Sequence, residues 1–304
     1  MSKKVFITGG AGFIGSAVIS HLQQRDYEVM VYDDLSFGNR QFLDIADCQF
    51  VHADILDNQK LQAAMLKFSP QYVVHLAAIH FIPYCNEHPF ASANINIRGT
   101  VNVLEACKQL PKLEKLLFAS TAAVYPIYDH AIPETLEPAP SDIYGLSKFT
   151  GEELCRKFHL ESAVPTIMCR FFNAFGPNET NPHLIPAIQQ QVLAGKRTIQ
   201  LGNTAPKRDF IHTHDMARAV QMLLERFDQG IDIFNLGKGI EYSVVDVVDA
   251  FSKALGETLH IETDPNRVRK TDRLHLLADI SKLEQYTGWQ PAISLEEGIK
   301  TLLA

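Results

Sequence analysis

The sequence predicts an α/β fold, a doubly wound parallel sheet followed by a smaller mixed lobe, and three observations carry that expectation. Short apolar, β-branched runs alternate with helix-length amphipathic segments through the first half of the chain. The first run ends in Thr8-Gly9-Gly10-Ala11-Gly12-Phe13-Ile14-Gly15, a glycine turn set between a strand and a helix. After Phe175 the alternation gives way to shorter pieces broken by Pro177, Pro182 and Pro186.

Taken in order, Lys3–Thr8 reads as a buried strand and Gly12–Gln24 as a helix. Glu28–Tyr32, Gln49–His52 and Tyr72–Leu76 follow as strands with helix-length segments between them. The segment Phe90–Gln109 has a helical rhythm at Ile97, Val101, Leu104 and Ala106, and Lys115–Ser120 is the next strand. Asp142–His159 then reads as a helix and Pro165–Arg170 as a strand. Strands joined by helices run parallel and are covered on both faces. Residues 1–175 are expected to form this sheet domain and 176–304 a smaller lobe interleaved with it.

Composition narrows the function. The 304 residues carry 28 Lys+Arg against 35 Asp+Glu, a net charge of −7. That balance argues against nucleic acid or an anionic membrane as partner, because polyphosphate binding draws on clustered basic residues. No stretch approaches the roughly 20 apolar residues of a membrane helix. After Met1-Ser-Lys-Lys the apolar run is only Val5-Phe6-Ile7, too short for a secretory leader. The five cysteines are odd in number and lack CxxC spacing, which suits reduced thiols in the cytoplasm.

The turn spacing is TGxxGxxG. Gly9, Gly12 and Gly15 permit a tight turn and let backbone N–H groups reach a pyrophosphate at the helix start, where Phe13 and Ile14 begin the first turn. Asp33 closes the second strand, about 20 residues on, where a carboxylate bridges ribose hydroxyls and repels a 2′-phosphate. A Rossmann-type site for NAD, rather than NADP, is the expectation.

Tyr144 and Lys148 are four residues apart and so share a helix face. An ammonium there is expected to draw the tyrosine pKa from about 10 toward neutrality. The phenolate then accepts a hydroxyl proton while hydride leaves the same carbon for nicotinamide. Thr121, just after the strand ending at Ser120, offers a hydroxyl to the same substrate oxygen.

These residues together resemble the extended short-chain dehydrogenase/reductase family, above all its nucleotide-sugar epimerases of the UDP-glucose 4-epimerase kind and its dehydratases. The resemblance spans nearly the whole chain. It implies that Asp54-Ile55 holds adenine, that Leu76-Ala77-Ala78 lines the dinucleotide, and that Asn96 supports the sheet beside the cofactor. Thr121, Tyr144 and Lys148 match the catalytic trio. In the second half, Asn173 of Arg170-Phe-Phe-Asn173 matches a sugar-diphosphate contact, and Leu184-Ile185-Pro186 the start of a helix on the nucleotide. Arg208 matches the diphosphate arginine, Arg269 and Asp272 an R-x-x-D pair for phosphate and ribose, and Gly288-Trp289-Gln-Pro291 a terminal structural motif. It further implies a homodimer built on the Phe90–Gln109 and Asp142–His159 helices.

The two residues after Thr121 discriminate between reactions. Related dehydratases carry Asp-Glu there, and 3,5-epimerases a Cys at the second position. This chain has Ala122-Ala123, which transfer no proton. Oxidation and reduction remain, and the simplest cycle is C4 epimerisation of a nucleotide-diphosphate sugar through a 4-keto intermediate. A nucleotide-sugar oxidoreductase or 4-keto-sugar reductase is the alternative, and a non-catalytic NAD-binding regulator a third. His80 is either a substrate contact or a structural histidine. His212-Thr-His214-Asp215 lacks a third ligand of suitable spacing, so no metal is expected.

Overall fold

The computed structural model describes residues 2–267 and 273–303. The first strand shows why a parallel sheet forms. Successive strand residues face opposite ways, and Val5 and Ile7 enter one core while Phe6 enters another, all three fully buried. A strand apolar on both sides needs a layer over each face.

The first half supplies most of those layers. β1 (Lys4–Thr8) passes through the glycine turn into α1 (Phe13–Gln23), followed by β2 (Glu28–Asp33), β3 (Phe50–His52), α2 (Asn58–Phe68) and β4 (Tyr72–His75). Two short helices, α3 (Ile82–Glu87) and α4 (Pro89–Ala93), lead through a π turn at Asn94–Gly99 into α5 (Thr100–Lys108). β5 (Lys115–Thr121), α6 (Ile143–Ser162) and β6 (Thr166–Phe171) complete this half. The second half contains β7 (Asn173–Phe175), α7 (Leu184–Leu193), β8 (Thr198–Leu201), β9 (Lys207–His212), α8 (Thr213–Arg226), β10 (Ile231–Leu236), β11 (Glu241–Ser243), α9 (Val244–Leu255), β12 (His260–Thr263), α10 (Ser281–Thr287) and α11 (Leu295–Leu303).

Seven strands form the main sheet in the order β10-β6-β5-β4-β1-β2-β3, and every neighbouring pair is parallel. The expected doubly wound, Rossmann-type sheet is therefore present, with two small sheets, β11-β9-β7 and β12-β8, forming the mixed part of the lobe. On one face α1 and α8 pack together over Val5, Ile7, Val18, Leu22, Val31 and Leu223. The opposite face is covered by α2, α5 and α6, over Phe6, Leu61, Val103, Phe118 and Phe158. Each such buried side chain contributes about 1.5–3 kcal/mol. A third core, around Phe175, Ile188, Val247, Phe251 and Ile299, belongs to the lobe. Trp289 is fully buried and its indole N–H donates to the Asp215 carbonyl at 3.1 Å, locking the chain's end onto α8.

Two local departures from the sequence expectation have physical causes. Helical structure begins at Ile82 rather than Phe90, because Pro83 and Pro89 each sit in a first turn, where a missing N–H is harmless. The helix over Phe90–Gln109 is interrupted by the π turn, a feature common at functional sites. β10 and α8, both beyond residue 175, are integral to the main sheet and its cover, the interleaving of the two parts of the chain.

Candidate active site

Strand order reverses between β1 and β4, which are neighbours although β2 and β3 follow β1 in sequence. At such a switch point the connections leave toward opposite faces, opening a crevice beyond the strands' carboxyl ends. Here a cavity of about 870 Å³ opens, lined by both halves of the chain.

Its cofactor side is built from the glycine turn. Gly9 has φ +72°, and a Cβ there would lie 2.5 Å from the Ala77 nitrogen. A Cβ on Gly15 would lie 2.4 Å from the Gly9 carbonyl oxygen. The turn is thus compressed against Leu76-Ala77, and no side chain fits. Gly12 caps α1, so the Phe13 and Ile14 N–H groups have no partner within the helix and line the cavity with the positive end of its dipole. Asp33 is only 8% exposed, and its two oxygens accept from the Ala11 N–H at 2.9 Å and the Leu35 N–H at 2.8 Å. Burial raises its pKa, and those two bonds oppose the rise. Asp54, Ile55, Leu76, Ala77 and Ala78 continue the wall. A cradle closed to side chains, two N–H groups without a helical partner and one carboxylate suit a dinucleotide with an unphosphorylated ribose.

Asn96, the residue expected to support the sheet beside the cofactor, stands behind the cavity wall. It is 1% exposed and absent from the cavity wall. Its amide accepts from the Ile79 N–H at 2.8 Å and donates to the Ile79 carbonyl at 2.9 Å and the Ser147 hydroxyl at 2.9 Å. The π turn aims it there, and it braces from behind the loop carrying Ala78 and His80.

Thr121, Tyr144 and Lys148 converge on the same cavity from β5 and α6. Asp142 caps α6 through the Gly145 N–H at 2.7 Å, which fixes the first turn bearing Tyr144. Gly145 is required there, since a Cβ would lie 2.4 Å from the Ala123 carbonyl oxygen. Lys148 is 2% exposed, with its Nζ 4.2 Å from the Phe118 ring centroid. Burial lowers its pKa to about 8.

The expected lowering of the Tyr144 pKa does not appear. Burial pushes it up, opposed mainly by the Thr121 hydroxyl. Loss of water around the phenolate is the dominant effect in this pocket.

Arg208 and Asn173 line the opposite part of the cavity. Arg208 donates to the Lys207 and Arg273 carbonyls, both at 2.8 Å. The Asn173 Oδ1 is buried without a partner among the described residues. His80 also lines the cavity. Its Nε2 is 2.9 Å from Asn181 Nδ2, and burial lowers its pKa to about 4. Leu184 opens α7 but packs into the lobe's core rather than the cavity wall. Arg269 and Asp272 lie outside the described residues.

Glu179, His183 and Arg273 are among the cavity-lining residues that no sequence pattern singled out. Glu179 is hydrogen-bonded to His183, and Arg273 donates to the Tyr125 carbonyl at 2.9 Å. Only the adjacency of His183 to Leu184, and of Arg273 to Asp272, hinted at them. His212-Thr-His214-Asp215 forms the β9–α8 turn, and there Asp215 pairs with Arg218 at 2.8 Å.

Comparison with known proteins agrees with this geometry. Residues 5–237 match the model of the NAD dependent epimerase/dehydratase family. A putative UDP-glucose 4-epimerase of Methanocaldococcus jannaschii is 31% identical over 98% of this chain and 97% of its own length. The dTDP-glucose 4,6-dehydratase of Salmonella typhimurium is also 31% identical, over 98% of this chain and 91% of its own. The crystal structure of the Thermus thermophilus UDP-glucose 4-epimerase in complex with NAD is 30% identical, with a TM-score of 0.88 over 99% of this chain and 97% of that one. The chain belongs to the NAD-dependent epimerase/dehydratase family. The sequence expectation of an NAD-dependent enzyme of the nucleotide-sugar epimerase kind, within the extended short-chain dehydrogenase/reductase type, is met.

Proposed function

We propose that this member of the NAD-dependent epimerase/dehydratase family inverts C4 of a nucleotide-diphosphate sugar. One observation carries the reading: Thr121, Tyr144 and Lys148 share a cavity with the glycine turn and Asp33, while Ala122 and Ala123 occupy the wall beside them. The site thus has groups to move one hydroxyl proton and no carboxylate or thiol at the two positions where the dehydratases and 3,5-epimerases carry theirs.

In this reading Tyr144 accepts the C4 hydroxyl proton, helped by the Thr121 hydroxyl on the same oxygen and by the Lys148 ammonium. Bound NAD supplies the hydride acceptor, and its positive nicotinamide favours the phenolate. The glycine turn, the Phe13 and Ile14 N–H groups and Asp33 hold the dinucleotide; Asp54, Ile55, Leu76, Ala77 and Ala78 flank it. Arg208 and Asn173 grip the diphosphate, and, by resemblance, Arg269 and Asp272 hold phosphate and ribose of the nucleotide. The 4-keto sugar turns about its diphosphate link within the cavity and presents its other face to C4 reduction: the hydride held by the reduced dinucleotide returns to C4 as Tyr144 gives the proton back to the oxygen. His80 borders the space in which the sugar turns.

The enzyme is proposed to work as a homodimer in the cytoplasm. Phe90 (84% exposed), Val101, Leu146 and Leu160 lie on α4, α5 and α6, the helices the family resemblance assigns to pairing. All five cysteines are free, which suits a reducing compartment.

The test is incubation of the purified protein with UDP-, GDP-, CDP- and dTDP-sugars, with C4 configuration followed by NMR. Epimer formed without added cofactor supports the proposal. Stoichiometric NADH turnover without epimer would replace it with a net oxidoreductase, and NAD binding without any conversion with a regulator.

A further inference from the structure

Behind the cavity lies a fully buried ion pair. The Glu152 side chain is inaccessible and that of Arg170 is 2% exposed. The guanidinium donates through Nε to Glu152 Oε1 at 2.9 Å and through Nη2 to Oε2 at 2.7 Å. Oε1 also accepts from the Ser120 hydroxyl at 2.5 Å. Arg170 stacks over Tyr125, whose hydroxyl donates to Asn235 at 2.8 Å. The Arg170 Nη1 is buried with no partner among the described residues.

Such a pair is a poor way to gain stability alone. Desolvating two charges costs several kcal/mol each, and apolar replacements of similar shape are often as stable. Its position is informative. Tyr144, Lys148 and Glu152 are spaced by four residues along one face of α6. Ser120 immediately precedes Thr121, and Ser120 faces Arg170 in the β5–β6 register.

We propose that Glu152 is a positioning residue of the reaction: held by Arg170 and gripping Ser120, it fixes the end of β5 that carries Thr121 against the helix that carries Tyr144 and Lys148. The inference rests on the epimerase reading of that trio. Glu152 also has an electrostatic effect on its neighbour. The titratable groups set against Lys148 are Tyr144, Glu152 and Cys155 from α6, His75 from β4 and His80 from the following loop. Of these, Glu152 is the carboxylate, and its charge supports an ammonium that burial disfavours.

Two variants separate positioning from charge. Ser120→Ala leaves the ion pair intact, and kcat is expected to fall about five- to tenfold, the equivalent of one lost hydrogen bond, with KM and NAD affinity near wild type. Glu152→Gln is expected to lower kcat similarly and to move the basic limb of the pH–rate profile down by about one unit. If the single variant fails to fold, Glu152→Gln with Arg170→Met removes both buried charges, and the same shift is expected. Wild-type kcat in Ser120→Ala together with an unmoved basic limb in the Glu152 variant overturns the proposal, even if both melt at lower temperature. Wild-type protein inactive on every nucleotide sugar would instead sink the epimerase reading itself.

Discussion

The Asp33 carboxylate at the end of β2 accepts a 2.9 Å hydrogen bond from the backbone N–H of Ala11, inside the glycine turn. A residue singled out for holding ribose therefore also holds the turn that receives pyrophosphate. Asp33→Ala removes both functions. A charge-assisted bond contributes about 1.5–3 kcal/mol, so NAD affinity should fall about 10- to 100-fold, measured by calorimetry on protein stripped of cofactor. Unchanged affinity would remove Asp33 from the site.

Gly9→Ala tests the compression of the same turn. The substitution imposes φ +72° on an alanine and drives its Cβ toward the Ala77 backbone. Strain of this kind costs of the order of 1–3 kcal/mol, so both denaturation midpoint and NAD content on purification should drop. Gly195→Ala, also at positive φ but with open space around it, should lose stability alone and keep its NAD.

Tyr144→Phe deletes one hydroxyl at the start of α6. Turnover should fall at least about 100-fold, the low end for lost general acid–base catalysis, with NAD affinity unchanged. A variant retaining most of its turnover would mean that another group moves the proton.

Acid stability should carry a signature of His75. The ring is fully buried between the Thr8 hydroxyl (Nδ1, 2.7 Å) and the Thr100 hydroxyl (Nε2, 3.0 Å), and burial lowers its pKa to about 3. The unfolded chain then binds more protons than the fold between about pH 6.5 and 3. Stability due to the neutral ring is complete above pH 6.5 and is lost as pH falls through that window, by at most about 1.4 kcal/mol per pH unit. Asp209, raised to about 7 by burial, acts in the opposite sense, so the informative quantity is a difference. Urea midpoints of wild type and His75→Gln, compared from pH 4 to 7.5, should converge toward acid. Parallel curves would contradict a neutral buried ring.

The exposed apolar side chains on α4–α6 predict the assembly. Leu146→Glu combined with Leu160→Glu should convert the proposed dimer to monomer in light scattering while leaving the cavity intact, since neither residue lines it. Persistence of the dimer would move the interface elsewhere.

Much of the cofactor half was legible in the linear chain. The Gly9–Gly15 turn, Asp33 and the Tyr144–Lys148 spacing are local patterns, and local geometry dictates what they do. Less legible were residues whose role depends on what they meet. Asn96 was legible as a support, but its partners, Ile79 and Ser147, are set by the π turn. Glu179, His183 and Arg273 reach the cavity from loops, where no periodicity announces them.

The sequence by itself determined the parallel sheet, the glycine turn and the shared helix face of Tyr144 and Lys148, because strand alternation, glycine spacing and a four-residue helical offset act over a few residues. Only the tertiary structure decided that β10 completes the sheet and that Ser120, Glu152 and Arg170 share one buried network across two strands and a helix. It also decided that Tyr144 is raised rather than lowered in pKa. Those outcomes depend on burial and on partners far apart in the chain, and dehydration of a charge is a property of the assembled fold.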